Sequence, residues 1–182
     1  MAAPTIADTL KIAPPVFIRK LGRPNHWGQP GDPLPERVKA AVQQVFRNQP
    51  QPEISIYLIA TDDDLRRVAI GLNAGRSSLK EDIAFVAFTS AELQVASITL
   101  PAKTPGALKC DYANSLHHDM TATDAQLEKL CTDLMNSGRQ AARCGKGVMT
   151  DAETLTIQEK CKSVPNIDKC GVEACQPVVS GT

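Results

Sequence analysis

The stretch Ile54-Ser55-Ile56-Tyr57-Leu58-Ile59-Ala60 decides the fold, because no other segment so clearly has the composition of a β-strand. Its β-branched and apolar residues favour a strand, and their weak alternation predicts that both faces are covered. Thr61 follows as a helix cap. Asp62-Asp63-Asp64 then place three carboxylates in the first helical turn, where the helix dipole favours negative charge. We therefore predict an interior strand that leads directly into a helix.

The residues that follow complete a strand–helix–strand pattern. Apolar side chains recur at the spacing of one helix face, and Ile83 to Phe88 is a second apolar run of strand length. Two strands joined by a helix usually form a βαβ unit, a right-handed crossover between parallel strands. We therefore predict an α/β or α+β fold, a small mixed sheet built around one βαβ unit with helices packed on it. The apolar helix positions are Leu65, Val68, Ala69 and Leu72.

The flanking sequence suggests two units. Residues 1–109 are predicted to form the α/β core with a proline-rich N-terminal segment, including a short strand at 16–20 and an edge strand at 95–100. Residues 110–182 are predicted to form a helical, cysteine-bearing module packed on that core. Its two helices are expected from Thr123 to about Arg143 and from Thr150 to about Lys162, each opened by a capping pattern.

Composition excludes several classes of protein. The 182 residues carry 20 Lys and Arg against 20 Asp and Glu, with no block of like charge to attract nucleic acid. The apolar runs are far shorter than the roughly 20 residues that span a bilayer, so membrane insertion is not expected. No cofactor-binding signature is present, and neither is a serine-hydrolase or cysteine-protease signature. We therefore expect a neutral globular protein with no bound cofactor.

Three interpretations of the six cysteines compete. An even number confined to one module favours a disulfide framework, which would stabilise a weak helical core. A structural zinc site is the second interpretation, although the spacing offers no two matched ligand pairs. In the third, cysteines on helix faces are small apolar core residues. The disulfide candidates are Cys110, Cys131, Cys144, Cys161, Cys170 and Cys175.

The amino terminus bears on the compartment. Met1-Ala2-Ala3-Pro4-Thr5 lacks the basic and apolar regions of a signal peptide. An alanine-rich start directly after methionine is also typical of a mature exported chain whose leader has been replaced. We therefore expect a bacterial periplasmic or secreted protein, with a cytoplasmic protein as the alternative.

His117-His118-Asp119 is the place where imidazole and carboxylate side chains lie together. Histidine titrates near neutral pH and a carboxylate can orient it, so these residues are candidates for acid–base catalysis. Adjacent side chains diverge, however, and residues 114–123 are also explained as a polar loop or helix cap. The Asp62 to Asp64 run could hold Mg²⁺, although helix capping accounts for it fully. No metal site is predicted.

Arg23, His26 and Trp27 lie together in a proline- and glycine-rich stretch. Arginine and tryptophan on a loop are typical anchors of protein–protein interfaces. The alternative is that Trp27 simply folds onto the core. These three residues are the candidate binding site.

Three functions remain open. The sequence favours a non-enzymatic protein that recognises another protein, such as an inhibitor or an immunity protein against a secreted toxin. The second is a small enzyme that uses His117, His118 and Asp119. The third is a zinc-stabilised cytosolic adaptor. Binding surfaces on loops leave no local pattern in one sequence, so neither the partner nor the oligomeric state is predicted.

Overall fold

The computed structural model describes residues 8, 10–48, 52–73, 83–108 and 110–144. Within them the chain forms a mixed α/β fold. The strands are β1 (Val16–Leu21), β2 (Ile54–Ile59), β3 (Ile83–Phe88), β4 (Ala102–Lys103), β5 (His117–Met120) and β6 (Ala142–Cys144). The helices are α1 (Leu34–Ala41), α2 (Asp62–Asn73), α3 (Ser90–Val95), α4 (Asp111–Ser115) and α5 (Asp124–Asn136). A 3₁₀ turn spans Pro24–Trp27, and α1 continues into a π-helical turn at Val42–Phe46.

The six described strands form one sheet in the order β4-β5-β2-β1-β3-β6, and every neighbouring pair is antiparallel. Strand β1 therefore lies between β2 and β3, and these two strands run in the same direction without being neighbours. The strand–helix–strand pattern of the sequence is present, but β2 and β3 are not neighbours, and the predicted mixed sheet is not found in the described residues because every neighbouring pair is antiparallel. The reason is that β1, which comes earlier in the chain, pairs with both β2 and β3 and separates them.

Two hydrophobic cores cover the two faces of the sheet. We call the face that carries Ile18, Tyr57 and Phe85 the front face, and it packs against α2 and α4. The opposite face, which we call the back face, carries Phe17, Ile56 and Val86 among others and packs against α1, α3 and α5. Strand β2 is interior and covered on both sides, which confirms the prediction from its weak alternation.

Side-chain caps fix where the helices begin. The Asp64 carboxylate accepts hydrogen bonds from the backbone N–H groups of Ala60 and Thr61, at 3.0 and 2.8 Å. At α5 the predicted capping box is confirmed, with Thr123 and Gln126 bonded reciprocally. A further capping box, at the start of α3, was not predicted, and the expected edge strand at 95–100 is instead the end of a helix and a loop. The longest of the described helices has 13 residues, and none of them has the length and apolar character needed to cross a membrane.

The predicted cysteine-bearing module is described only as far as Cys144. Its first part contributes β5 and β6 to the same sheet as residues 16–103, and α5 ends at Asn136 rather than near Arg143. Cys131 on α5 is fully buried with a free thiol, and burial raises its pKa to about 12. No disulfide joins two described side chains, so Cys131 is a small apolar core residue. Cys161, Cys170, Cys175 and the predicted helix at 150–162 lie outside the described residues.

Candidate functional site

Strand β5 brings His117 and Asp119 onto one face of the sheet. The sequence predicts a loop or helix cap at 114–123, but 117–120 pair with β2, so the structure corrects that prediction. Successive side chains of a strand point to opposite faces, and residues two apart share a face. His117 and Asp119 therefore lie on the front face, with imidazole Nε2 3.7 Å from the Asp119 carboxylate.

His118 points to the other side and takes no part in this site. Its ring meets the edge of Phe17 at a centroid distance of 5.5 Å, and its Nδ1 lies 3.1 Å from the carbonyl oxygen of Leu116. These contacts belong to the back face of the sheet. Of the three candidate residues, His117 and Asp119 thus form a pair on the front face, and His118 is a core residue of the back face.

His117 and Asp119 line an open cleft of about 520 Å³ on the front face. Clefts of this size commonly hold small molecules. We call it the His117 cleft. Its polar lining includes Lys20, Glu53, Ser55, Tyr57, His117 and Asp119.

The imidazole of His117 is buried at the wall of the cleft, with 6% of the residue exposed. Its Nδ1 lies 2.9 Å from the Thr104 hydroxyl, and its ring packs edge-on against Tyr57 at a centroid distance of 5.4 Å. Burial lowers the pKa of His117 below its ordinary value of 6.5, and this effect outweighs the opposing influence of Asp119. The imidazole is therefore neutral at pH 7 and able to accept a proton.

Two of the residues that line the cleft, Ser55 and Tyr57, carry hydroxyl groups. In the described part of the chain, no hydrogen bond uses the Ser55 or the Tyr57 hydroxyl, although both side chains line the cleft. Burial raises the pKa of Tyr57 to about 12, so the phenol keeps its proton and can donate. Both hydroxyls are therefore available to a bound molecule.

Strand β1 supplies the arginine that fixes β2 beside the cleft. Arg19 is buried, and its guanidinium donates to the carbonyl oxygens of Val45 at 3.0 Å and Ser55 at 2.8 Å. A third hydrogen bond, 3.0 Å long, goes to the Asn48 side chain. The backbone at Ser55 is thus held in place from the back face of the sheet.

The loop between β4 and α4 forms one wall of the cleft and is pinned at both ends. The Thr104 backbone N–H donates to the His117 carbonyl at 3.1 Å. At the other end the Asn114 side chain bonds both the N–H and the carbonyl of Leu108, at 2.9 and 2.8 Å. Gly106 passes so close to Asn114 that any β-carbon would collide with it. The loop that forms this wall is therefore held at both ends and packed closely against Asn114.

The aspartate run at Asp62 to Asp64 is occupied by structural contacts. Besides capping α2, Asp64 accepts a 2.8 Å hydrogen bond from the Tyr112 hydroxyl, and Asp63 pairs with Arg67 at 2.6 Å. Among the described residues no group of three His, Cys, Asp or Glu side chains is placed to hold a metal ion. The carboxylates of Asp63 and Asp64 are thus explained by an ion pair, helix capping and packing.

Arg23, His26 and Trp27 fall on and beside the 3₁₀ turn. Arg23 is exposed and His26 half-buried, but Trp27 is only 1% exposed and its indole N–H donates to the Arg139 carbonyl at 2.9 Å. The structure therefore places Trp27 in the core of the back face, which is the alternative that the sequence left open.

A second cavity of about 550 Å³ lies between α1 and α5. Its lining includes the apolar residues Leu34, Val38 and Val42 and the carboxylates of Asp124 and Glu128. No histidine lines it, and neither carboxylate contacts an imidazole as Asp119 does in the His117 cleft. The His117 cleft is therefore the better candidate site.

No protein-family model, no curated protein and no solved structure matches this chain. Function is therefore argued from the cleft itself, because a fold alone supports many unrelated activities.

Proposed function

We propose that the protein is a small enzyme that binds a polar small molecule in the His117 cleft and uses His117 as a general base. One observation carries the proposal: a buried imidazole stands 3.7 Å from a carboxylate at the wall of an open cleft. A titratable group with a shifted pKa beside a charged partner in a cleft is typical of functional sites. The second function considered from the sequence, an enzyme with a His/Asp site, thus gains support, without His118.

The chemistry follows from the two ring nitrogens. When Nδ1 carries the ring proton and donates it to Thr104, the lone pair of Nε2 faces Asp119 and the cleft. A bound hydroxyl, water or acidic C–H can then give its proton to Nε2. The carboxylate of Asp119 stabilises the imidazolium that forms.

A screen of small polar amides, esters and hydroxy acids, followed by NMR on the whole protein, tests the proposal. We expect binders to shift the signals of His117, Tyr57 and Asp119. The His117→Gln variant should weaken their binding by about tenfold or more, since a hydrogen bond to the imidazole is lost.

His118→Gln is the matched control, because this neighbour lies on the back face and should leave binding unchanged. Binders that gather between α1 and α5, or that bind the His117→Gln variant as tightly as the unaltered protein, would contradict the proposal.

Recognition of another protein stays a prediction. The observation in its favour is that Val95 and Leu100, both in the connection from β3 to β4, are 60% and 50% exposed. A stoichiometric partner that is lost on replacing both residues with aspartate would favour it over the enzyme. The zinc-stabilised adaptor and export to an oxidising compartment also stay predictions, because four of the six cysteines lack a described side chain.

A further inference from the structure

We infer that Ser55 is a nucleophile, and that the His117 cleft cleaves esters of small carboxylic acids by acyl transfer through this serine. This inference rests on the proposed function, since it uses the same cleft and the same base. Its starting point is that the Ser55 hydroxyl lines the cleft and no described hydrogen bond uses it. Ser55 is also the one short polar residue in an otherwise apolar, interior strand.

The register of the sheet places Asp119, the carboxylate next to the base, opposite Ser55. Ser55 and Asp119 are directly opposite on β2 and β5, and such pairs have β-carbons about 5 Å apart. His117 shares the face of Asp119, and its Nε2 leans to within 3.7 Å of the Asp119 carboxylate. The proton-accepting nitrogen therefore lies close to the cross-strand pair formed by Ser55 and Asp119.

The same cleft carries groups that can stabilise negative charge. Lys20 lies on the face of β1 that carries Ile18, and it lines the cleft together with Ser55. Tyr57 lies two residues from Ser55 on the same face and keeps a proton to donate. An ammonium and a phenol in the same cleft as a nucleophile suit the oxyanion of acyl transfer.

The step balances with an ester and water as the reactants. The Ser55 oxygen bonds to the ester carbonyl carbon while its proton passes to Nε2 of His117. The carbon–oxygen bond to the alcohol then breaks, and the alcohol leaves with that proton. Water, deprotonated in turn by His117, attacks the acyl-serine and releases the carboxylic acid, which restores the hydroxyl.

The lining of the cleft carries both signs of charge. Arg19 and Lys20 line it together with Glu53 and Asp119, so two cations balance two carboxylates and an uncharged ester suits the cleft. The ester carbonyl gains negative charge only in the transition state, in a cleft that Lys20 also lines. Ser55 is distant in sequence from His117 and Asp119, so the three residues form no local motif. They are identified by their places in the sheet.

Labelling by phenylmethanesulfonyl fluoride, followed by intact mass and peptide mapping, tests this inference. We expect one adduct on Ser55, none on the Ser55→Ala variant, and labelling about 100-fold slower or more in His117→Gln. Ser115→Ala is the control, because Ser115 is exposed and its hydroxyl already bonds the Tyr112 carbonyl. Hydrolysis of p-nitrophenyl acetate should follow the same order.

Ser55→Ala removes no hydrogen bond between described residues, so its circular dichroism should match that of the unaltered protein. An unlabelled protein, or a Ser55→Ala variant labelled as fast as the parent, would overturn the inference. If small polar compounds still bind in a His117-dependent way while Ser55 stays unlabelled, Ser55 is not the nucleophile but the proposed function stands. Loss of both results would overturn the proposed function as well.

Discussion

Replacing Trp27 with alanine is expected to lower the free energy of unfolding by about 3–5 kcal/mol, as for other large-to-small core substitutions. The indole is 1% exposed in the core of the back face, and its N–H donates to the Arg139 carbonyl. The substitution removes that packing and leaves the partly buried Arg139 carbonyl without its donor. Urea unfolding followed by circular dichroism measures the change.

Arg23→Ala is the control for Trp27. Arg23 is exposed at the start of the same turn, so its removal should change stability by less than about 0.5 kcal/mol. A Trp27→Ala protein as stable as the Arg23→Ala protein would mean that the indole faces solvent, and the interface-anchor interpretation would return.

Replacing Arg19 with leucine is expected to cost about 3 kcal/mol of stability or more. The guanidinium satisfies the carbonyls of Val45 and Ser55, and each buried group left unpaired costs about 1–3 kcal/mol. Because the same contact holds the strand at Ser55, the variant should also lose reactivity towards the sulfonyl fluoride. Denaturant unfolding and the labelling rate, measured on one preparation, test both effects.

Lys20→Leu is the matched control for stability, since Lys20 is the next residue on the opposite face and is only half-buried. Its loss of stability should stay below about 1 kcal/mol. An Arg19→Leu protein no less stable than Lys20→Leu would show that the three hydrogen bonds of Arg19 do not secure β2.

The elements that depend on local patterns could be predicted from the sequence. The apolar run of β2, the strand β3 and the capped starts of α2 and α5 all lie where their residues indicate. The place of β1 between β2 and β3 could not be predicted, because the neighbours of a strand and the order of the strands in a sheet depend on long-range packing. The capping box of α3 was a local signal that was overlooked: Thr89 and Glu92 stand at the required spacing.

The site was predicted only in part for the same reason. His117 and Asp119 were candidates, but β5 is four residues long and polar, so the sequence offered no reason to treat them as neighbours on one face. Ser55 was missed, although a lone serine in an interior apolar strand is a signal that could have found it. His117 is buried against Tyr57 and Thr104, which are distant from it in the sequence, so its lowered pKa could not be predicted.

An NMR pH titration of the His117 imidazole in the whole protein tests the central claim most directly, with His117→Gln used to assign the signal. Burial should place the midpoint below the ordinary pKa of 6.5, so the ring is neutral at pH 7. Because the Asp119 charge raises the pKa of His117, Asp119→Asn should lower the midpoint further. A midpoint at or above 6.5, or one that Asp119→Asn leaves unchanged, would contradict a neutral base paired with a carboxylate in this cleft.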